Sequence, residues 1–411
     1  MRALLVLFGL AVGLLLAEGG SRIVDRLQCR DNPGMFWEPN RWVGWTHTPD
    51  ARGWAQRCLR GKIEWRVYTR INGHGLRDRD VPYEPQGRFR ILVLGDSFTE
   101  GIQVEQDETF PKLLEQRLGG GVEVLNAGVS GYGTDSELLF WESEGWKYRP
   151  DLVLLVFDTS NDILENHYRL MRGTHFPYPE KPHFVLKDGR LVPENLPLPE
   201  EPPVRRTLVR LQRWLTRHST LYRLLPAFRV PGMPGGAQAA PPPTPFPGGT
   251  LPTEVYLADY PESWRVAWRI TRGLLLRVRQ DVEARGSRFA VVVINAKEEV
   301  SDRRWQWTLL ANPALREYRW DVDKPNRLIT SFLARRGIPT IALLDVFRTH
   351  FRETGASGFY EWDVHWAPAG HELAAAAIAR TLAALALVPK ASGTAAVPAL
   401  ASVGRTFLPV R

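Results

Sequence analysis

The chain has 411 residues, of which 24% are charged and 44% are hydrophobic, and its formal net charge is +8. A chain of this length and composition is able to bury a sizeable core, in one large α/β domain with insertions or in about two to three average domains. The 53 Lys and Arg are interspersed with 45 Asp and Glu, and no basic run is long enough for a nucleic-acid-binding arm. We therefore expect no nucleic-acid partner.

Residues 1–24 are predicted to be a signal peptide or a membrane anchor. Arg2 precedes fifteen consecutive apolar residues, Ala3 to Ala17, a run that is long for a signal peptide and short for a membrane-spanning helix. Ala17 and Gly19 match a cleavage site imperfectly, which favours an uncleaved anchor. Either interpretation places the rest of the chain outside the cytoplasm, in the periplasm or at the cell surface.

Residues 25–88 are predicted to form an N-terminal extension that packs on the main domain, because the segment is short and polar for a core of its own. Within it, Ile63 to Ile71 alternates between apolar and polar residues, as a strand does. The two cysteines of the chain, Cys29 and Cys58, also lie in this segment. In an oxidising compartment they would be able to close a loop of about thirty residues by a disulfide, and two unrelated thiols are the alternative.

Strand and helix patterns alternate between residues 89 and 388, which predicts a three-layer α/β/α domain with a five-stranded parallel sheet. The predicted strands are near-continuous apolar runs, as buried parallel strands are: Arg90–Leu94, Val122–Leu125, Leu152–Phe157, Phe289–Ile294 and Thr340–Leu343. The predicted helices follow them, at about 109–118, 135–148, 263–285, 325–336 and 368–387.

A long insertion, residues 165–261, interrupts this alternation after the third strand. Its Pro-rich tract, residues 230–249, is predicted to hold no regular structure, and one helix-like stretch, Val204 to Leu225, precedes that tract. An insertion at the carboxyl end of a strand is well placed to shape or cover a cleft, and a surface loop without function is the alternative. Residues 389–411 are predicted to be a disordered tail.

Small and polar residues follow three of the predicted strands, at the edge where open α/β sheets bind their ligands. They are Ser97, the Gly128–Gly133 turn and Ser160–Asn161–Asp162, and Asp363 and His365 follow the last strand. A serine hydrolase needs a nucleophile, an imidazole to take its proton, a carboxylate to orient the imidazole, and donors for the oxyanion. This set of residues supplies each of them.

Three other kinds of site lack support in the sequence. The G-x-S-x-G turn of α/β-hydrolases is absent, because Thr99 stands two residues after Ser97. The glycines between Gly128 and Gly133 occur in the reverse order of a G-x-G-x-x-G dinucleotide site. No Cys–His cluster has the spacing of a zinc site. We therefore expect neither a cofactor nor a metal ion.

Four segments, in their order and their positions at strand ends, resemble the signature blocks of the SGNH (GDSL-type) hydrolases: GDSFTEG, NAGVSGYGT, SND and DVHWAPAGH. The resemblance implies a flavodoxin-like sheet, a metal-free Ser-His-Asp mechanism and ester substrates. It implies that Ser97 is the nucleophile, that His365 is the general base and then the acid, and that Asp363 orients His365. The N–H groups of Ser97 and Gly131 and the side-chain amide of Asn161 would form the oxyanion hole.

Two positions depart from the family pattern. Thr159 stands where the third block usually has Gly, and we expect it to narrow the approach to the oxyanion. One residue instead of two separates Asp363 from His365, so the commoner spacing would put Trp362 in the place of the Asp. Asp363 is then the carboxylate that is suited to orient His365. This D-x-H-W form is similar to that of the alginate O-acetylation proteins of the same superfamily.

The sequence therefore predicts an exported SGNH-type serine esterase that acts on ester-bearing small molecules or on O-acyl groups of carbohydrate. A polysaccharide O-acyltransferase with the same residues is one alternative. A catalytically inactive, anchored polysaccharide-binding protein is another.

Overall fold

The computed structural model describes residues 2–27, 31, 32, 34, 36–171, 180–200, 202–224 and 253–389. Three predictions fall on other parts of the chain. Cys29, and with it the predicted disulfide to Cys58, lies outside the described residues. So do the Pro-rich tract 230–249 and the predicted tail from residue 390 onward.

The described residues contain strands that we number β1 to β11 in chain order: Trp37–Asn40, Gly44–His47, Arg52–Leu59, Lys62–Arg70, Phe89–Gly95, Val122–Gly128, Leu152–Asp158, His183–Lys187, Arg190–Glu194, Arg288–Ile294 and Thr340–Ala342. They also contain α-helices that we number α1 to α14: Arg2–Leu27, Ser97–Glu100, Phe110–Leu118, Thr134–Ser143, Asp162–Glu165, Tyr168–Met171, Pro203–His218, Thr220–Leu224, Glu262–Ala284, Lys297–Val300, Asp302–Ala311, Lys324–Arg335, Leu344–Thr354 and Pro368–Ala384.

Five of these strands form one parallel sheet in the order β11-β10-β7-β5-β6, which confirms the predicted fold class. From β5 the chain passes to β6 on one side and then to β7 on the other. A crevice therefore forms outside the carboxyl ends of β5 and β7, where doubly wound sheets bind ligands. Ser97 follows β5 and Asn161 follows β7, so this topology brings both residues to the crevice.

Two apolar cores cover the two faces of the sheet. Helices α4, α9 and α12 pack on one face through side chains such as Trp141, Leu274 and Phe332. Helices α3, α13 and α14 pack on the other face. Successive residues of β5 alternate between the cores, with Leu92 in the first and Val93 in the second. Because both faces are covered, the strands are apolar at most positions.

The N-terminal extension contains two antiparallel hairpins, β1–β2 and β3–β4. Contrary to the expectation of no core, a small apolar cluster lies inside it: Phe36, Ala51, Ala55, Trp65 and Ile71. Trp45 of β2 is fully buried in the core of the main domain, and its Nε1 donates to the carbonyl of Ser130 at 2.9 Å. The extension thus packs directly on a turn that follows a strand of the main sheet.

The insertion holds more regular structure than its composition predicts. An antiparallel hairpin, β8–β9, precedes the predicted helical stretch, and that stretch consists of two helices, α7 and α8. Lys181, just before β8, is fully buried, and its Nζ donates to Asp135 Oδ1 of α4 at 2.7 Å. This contact fixes the start of the hairpin on the main domain.

The first helix, α1, has 26 residues, and its segment Leu4–Val24 has a mean hydropathy of 2.0. Those 21 residues are long enough to cross a membrane, at about 1.5 Å of rise per residue. Only 6% of the segment is buried inside the protein. A signal sequence near an N-terminus has the same features, so α1 is compatible with a signal peptide and with an anchor.

Candidate active site

Ser97 is the first residue of α2, directly after the turn that ends β5. Asp96 caps this helix by accepting a hydrogen bond from the Phe98 N–H at 2.9 Å. A Cβ on Gly95 would lie 2.2 Å from Thr99 Oγ1, so no other residue fits before the turn. These constraints hold Ser97 at the carboxyl edge of the sheet.

The structure brings Ser97, His365 and Asp363 into one hydrogen-bonded chain. His365 Nε2 lies 2.8 Å from Ser97 Oγ, and His365 Nδ1 lies 2.5 Å from Asp363 Oδ1. Asp363 Oδ1 also accepts the His365 backbone N–H at 3.0 Å, which holds the short D-x-H segment in shape. The spacing with one intervening residue therefore still presents a carboxylate to the imidazole.

The electrostatics of the three hydrogen-bonded residues Ser97, His365 and Asp363 suit proton transfer. Burial alone would lower the pKa of His365, but the negative charge of Asp363 outweighs it, and the pKa of His365 is raised above its ordinary value. Burial would raise the pKa of Asp363, but the charge and hydrogen bonds of His365 bring that pKa well below its usual range. Asp363 is thus ionised throughout the neutral range and stabilises an imidazolium.

A small cavity opens beside Ser97 Oγ. Its walls come from the ends of β5, β7 and β10 and from the last loop: Ser97, Phe98, Asp158, Ser160, Asn161, Ala296, Lys297, Glu298, Val364 and His365. Asn161, one of the predicted oxyanion donors, is among them. Its Nδ2 donates one hydrogen bond to Asp96 Oδ2 at 3.0 Å, which leaves the second amide hydrogen for another acceptor.

Gly131 is not one of the residues that line this cavity. It lies in the turn after β6 with a φ of 76°, a left-handed conformation that favours glycine. Glu100 fixes that turn by accepting the Ser130 N–H at 2.8 Å. The role of Gly131 in the oxyanion hole stays a prediction.

Thr159 does not narrow the cavity, contrary to expectation. Its side chain is fully buried behind the site, with Oγ1 2.7 Å from Glu299 Oε1 and 3.1 Å from the carbonyl oxygen of Ile294. The hydroxyl thus points toward β10 and α10 instead of toward Ser97. A side chain at this position is therefore compatible with an open site.

Residues of the N-terminal extension hold the segment that carries Asp363. Trp65 Nε1 donates to Asp363 Oδ2 at 2.9 Å, so both oxygens of that carboxylate are engaged. Glu64 accepts the backbone N–H groups of Trp362 and Asp363 at 2.7 and 2.9 Å. The sequence reasoning missed both residues, although a polar–aromatic pair within a predicted strand was a visible signal.

Lys297 also contacts the segment that carries Asp363. Its Nζ donates to the carbonyl oxygens of Tyr360 and Glu361, the second at 2.6 Å. Burial lowers the pKa of Lys297 to about 8. Lys297 also lines the cavity, so it is a positioning residue that lies within reach of a substrate.

We expect Trp65→Phe to lower kcat about tenfold with little change in KM, because it removes one charge-assisted hydrogen bond to Asp363 and keeps the ring packing. Initial rates with an acetyl ester over a range of concentrations measure kcat and KM separately. Trp54→Phe is the matched control, since Trp54 lies on the neighbouring strand with its side chain largely exposed. An unchanged kcat in Trp65→Phe would show that the contact does not position Asp363.

Five buried carboxyl groups lie close together at and behind the cavity wall, which Asp158 lines: Asp96, Glu137, Asp158, Asp162 and Glu165. Burial, and then their mutual repulsion, raises the pKa of Asp158 to about 7. Burial and the charge of Asp96 raise the pKa of Glu165 to about 8. In all five groups burial thus disfavours the ionised form.

A carboxyl whose pKa is higher in the folded than in the unfolded chain stabilises the fold below its unfolded pKa, and this stability is lost as the pH rises through the folded pKa. For Glu165 the loss extends from about pH 4.5 to about pH 8. Thermal unfolding of Glu165→Gln should therefore show a Tm advantage over the parent chain that grows by a few degrees between pH 5 and pH 8. Glu353→Gln, at an exposed position, is the control. A difference that does not vary with pH would contradict the assignment.

His371 is a structural residue. It is buried against Phe110 and Trp366, and its Nδ1 accepts the Phe110 N–H at 3.2 Å. Burial lowers the pKa of His371 to about 3, so the ring is neutral. Within the described ranges, no group of three or more His, Cys, Asp and Glu side chains is arranged to hold a metal ion.

Comparison with known proteins gives a family for the C-terminal part of the chain. Residues 263–405 match the model of the SGNH hydrolase-like domain, acetyltransferase AlgX. The match includes Asp363 and His365 and begins after Ser97 and Asn161. No curated protein matches the chain.

Solved structures of low sequence identity also align with this chain. A GDSL-like lipase from Bacteroides thetaiotaomicron is 12% identical with a TM-score of 0.35, over 74% of this chain and 93% of that one. A catalytic mutant of Axe2, an acetylxylan esterase from Geobacillus stearothermophilus, is 13% identical with a TM-score of 0.37, over 73% and 96%. LAE5, an α/β hydrolase enzyme from the metagenome of Lake Arreo, is 14% identical with a TM-score of 0.37, over 74% and 98%. At these values the likenesses say nothing about substrate.

The family match, the four sequence blocks and the sheet that carries them agree with one another. The blocks lie at the carboxyl ends of the strands, as their resemblance implies. Residues 263–405 are therefore similar to the SGNH hydrolase-like domain of the AlgX family.

Proposed function

We propose that this protein is an extracytoplasmic serine enzyme that takes O-acyl groups from ester substrates through an acyl-Ser97 intermediate. The observation that carries the proposal is the hydrogen-bonded chain from Ser97 Oγ through His365 to Asp363. A partly buried imidazole between a serine hydroxyl and an ionised carboxylate is the arrangement that activates a serine nucleophile.

In the proposed reaction His365 Nε2 takes the proton of Ser97 as its Oγ attacks the ester carbonyl carbon. The oxyanion of the tetrahedral intermediate accepts hydrogen bonds from the Ser97 N–H and the Asn161 amide. His365 then gives its proton to the alcohol oxygen as the C–O bond breaks, which leaves an acyl group on Ser97. A second hydroxyl, deprotonated by His365, attacks the acyl carbonyl carbon, and His365 returns the proton to Ser97 Oγ as the bond between the acyl group and Oγ breaks.

The second hydroxyl defines the reaction class. Water gives an esterase, which is the function that the sequence predicts. A sugar hydroxyl gives a polysaccharide O-acyltransferase, and the match of residues 263–405 to an acetyltransferase family favours this candidate. In both cases the substrate is an ester-bearing small molecule or an acylated carbohydrate.

The deciding experiment follows turnover of 4-nitrophenyl acetate by the full chain in a mild detergent, with and without oligosaccharide acceptors. An esterase releases acetate at a rate that does not depend on the acceptor. A transferase releases nitrophenol faster when an acceptor is present, and mass spectrometry finds the acetylated oligosaccharide. If neither product forms and oligosaccharides bind equally to the parent chain and to Ser97→Ala, the protein is a binding protein and the proposal is wrong.

A further inference from the structure

Helix α7, Pro203–His218, presents an apolar surface to solvent. Four apolar side chains on it are between 48% and 72% exposed: Val204, Leu208, Leu211 and Trp214. Their spacing of three or four residues places them along one side of the helix. Each is a large side chain that a soluble protein usually covers, so this side of α7 is suited to an apolar environment.

The same helix is strongly basic. Its sixteen residues include five arginines and no Asp or Glu. One of them, Arg213, is directed toward the protein, where its Nη2 donates to the carbonyl of Trp37 at 2.8 Å and to Thr48 Oγ1 at 2.7 Å. Gln212 is buried beside it. These contacts hold one side of α7 on the extension, while Arg206 and Arg210 are exposed.

The C-terminal end of α7 is held against α1. The Glu18 carboxylate accepts hydrogen bonds from Ser219 Oγ at 2.8 Å and from the Thr220 N–H at 2.9 Å. Arg22 Nη2 donates to the carbonyl of His218, the last residue of α7, at 3.2 Å. Glu18 directly follows the apolar run that ends at Ala17. If α1 is an uncleaved anchor, the C-terminal end of α7 therefore lies at the level at which the chain leaves the bilayer.

We propose that α7 lies in the membrane–water interface, with its apolar side among the acyl chains and its exposed arginines, Arg206 and Arg210, on anionic lipid headgroups. A helix with a large apolar side, a basic remainder and a Trp is typical of such interfacial segments. A second copy of this chain is a poor occupant of the same surface, because two helices with five arginines each and no acidic residue would repel each other. The inference rests on α1 as an anchor and is independent of the proposed catalysis.

The test places the full chain in lipid nanodiscs and labels α7 with an environment-sensitive fluorophore. Leu208→Cys carries the label NBD, and Leu310→Cys on α11 is the matched control, since Leu310 is also an exposed leucine of a helix. The parent chain taken through the same labelling gives the background. The bilayers contain phosphatidylcholine alone or with one third phosphatidylglycerol.

We expect the emission of the label at position 208 to shift to the blue in the anionic bilayer and to be quenched by doxyl-labelled lipid, while the label at position 310 stays in water. The shift should diminish at 1 M salt, where the Debye length falls from about 10 Å to about 3 Å. Arg206→Gln with Arg210→Gln should lose the response to phosphatidylglycerol. Arg265→Gln with Arg269→Gln, two exposed arginines of α9, should keep it.

Two results would overturn the proposal. If the labels at positions 208 and 310 behave alike in both bilayers, α7 does not contact lipid. If the label at position 208 is shifted but doxyl lipid does not quench it, a protein surface covers α7 instead. Because no step uses turnover, failure here is distinct from failure of the proposed function.

Discussion

Replacing Ser97 with Ala is expected to lower kcat/KM for acetyl esters at least about a thousandfold. The variant removes the oxygen that lies 2.8 Å from His365 Nε2, so no acyl-enzyme is able to form. Turnover of 4-nitrophenyl acetate by the full chain measures the loss. Mass spectrometry of the quenched reaction should also find an acetyl group on the parent chain and none on the variant.

Ser160→Ala is the matched control for this loss. Ser160 lines the same cavity, but its Oγ donates to Asp158 Oδ1 at 2.7 Å and is not within the Ser97–His365–Asp363 chain. Its removal should change the rate far less than the loss of Ser97. If Ser97→Ala retains the rate of the parent chain, the hydrogen-bonded chain does not carry the reaction.

Replacing Asp363 with Asn is expected to lower kcat/KM by about four orders of magnitude. An amide at this position no longer holds the imidazole in the tautomer that accepts the Ser97 proton, and it no longer stabilises the imidazolium. Trp65 and Glu64 contact the same residue, so the backbone should stay in place. Rates of Asp363→Asn and of Glu361→Gln, an exposed carboxylate of the same loop, provide the comparison.

The pH profile gives an independent measurement of the same contact. A general base acts only when it is neutral, and the pKa of His365 is raised above its ordinary value of 6.5. The kcat/KM of the parent chain should therefore rise with pH through a value above 6.5. Burial without the negative charge lowers the pKa of His365, so the rise in Asp363→Asn should occur at lower pH. Identical profiles would show that Asp363 does not face the catalytic base.

The strands and the positions of the main candidate residues were predictable from sequence, because buried parallel strands are near-continuous apolar runs. The predicted strand Arg90–Leu94 and the observed β5 differ by one residue at each end. Helix α13, in contrast, was missed, although its buried residues Leu344 and Phe347 are helically spaced. Only Leu343 separates this helix from β11, and the predicted helices do not include it.

The surroundings of the site were not predictable, because they depend on contacts between distant parts of the chain. Trp65 and Asp363 are 298 positions apart, and nothing in either segment specifies that they meet. The same holds for Thr159, whose burial against Glu299 decides that it leaves the cavity open. Burial together with the neighbouring charges, and not residue type, also decides in which direction each carboxyl pKa is shifted.

By itself, the sequence determined the parallel sheet, the order of the blocks at its edge and the identity of the nucleophile, base and carboxylate that we propose. These follow from local patterns, since apolar runs form buried strands and the residues after them reach one edge. Only the tertiary structure decided how the extension holds Asp363 and which side of α7 is left exposed beside α1. Those features depend on which surfaces meet when the chain packs, and local sequence patterns do not specify such long-range contacts.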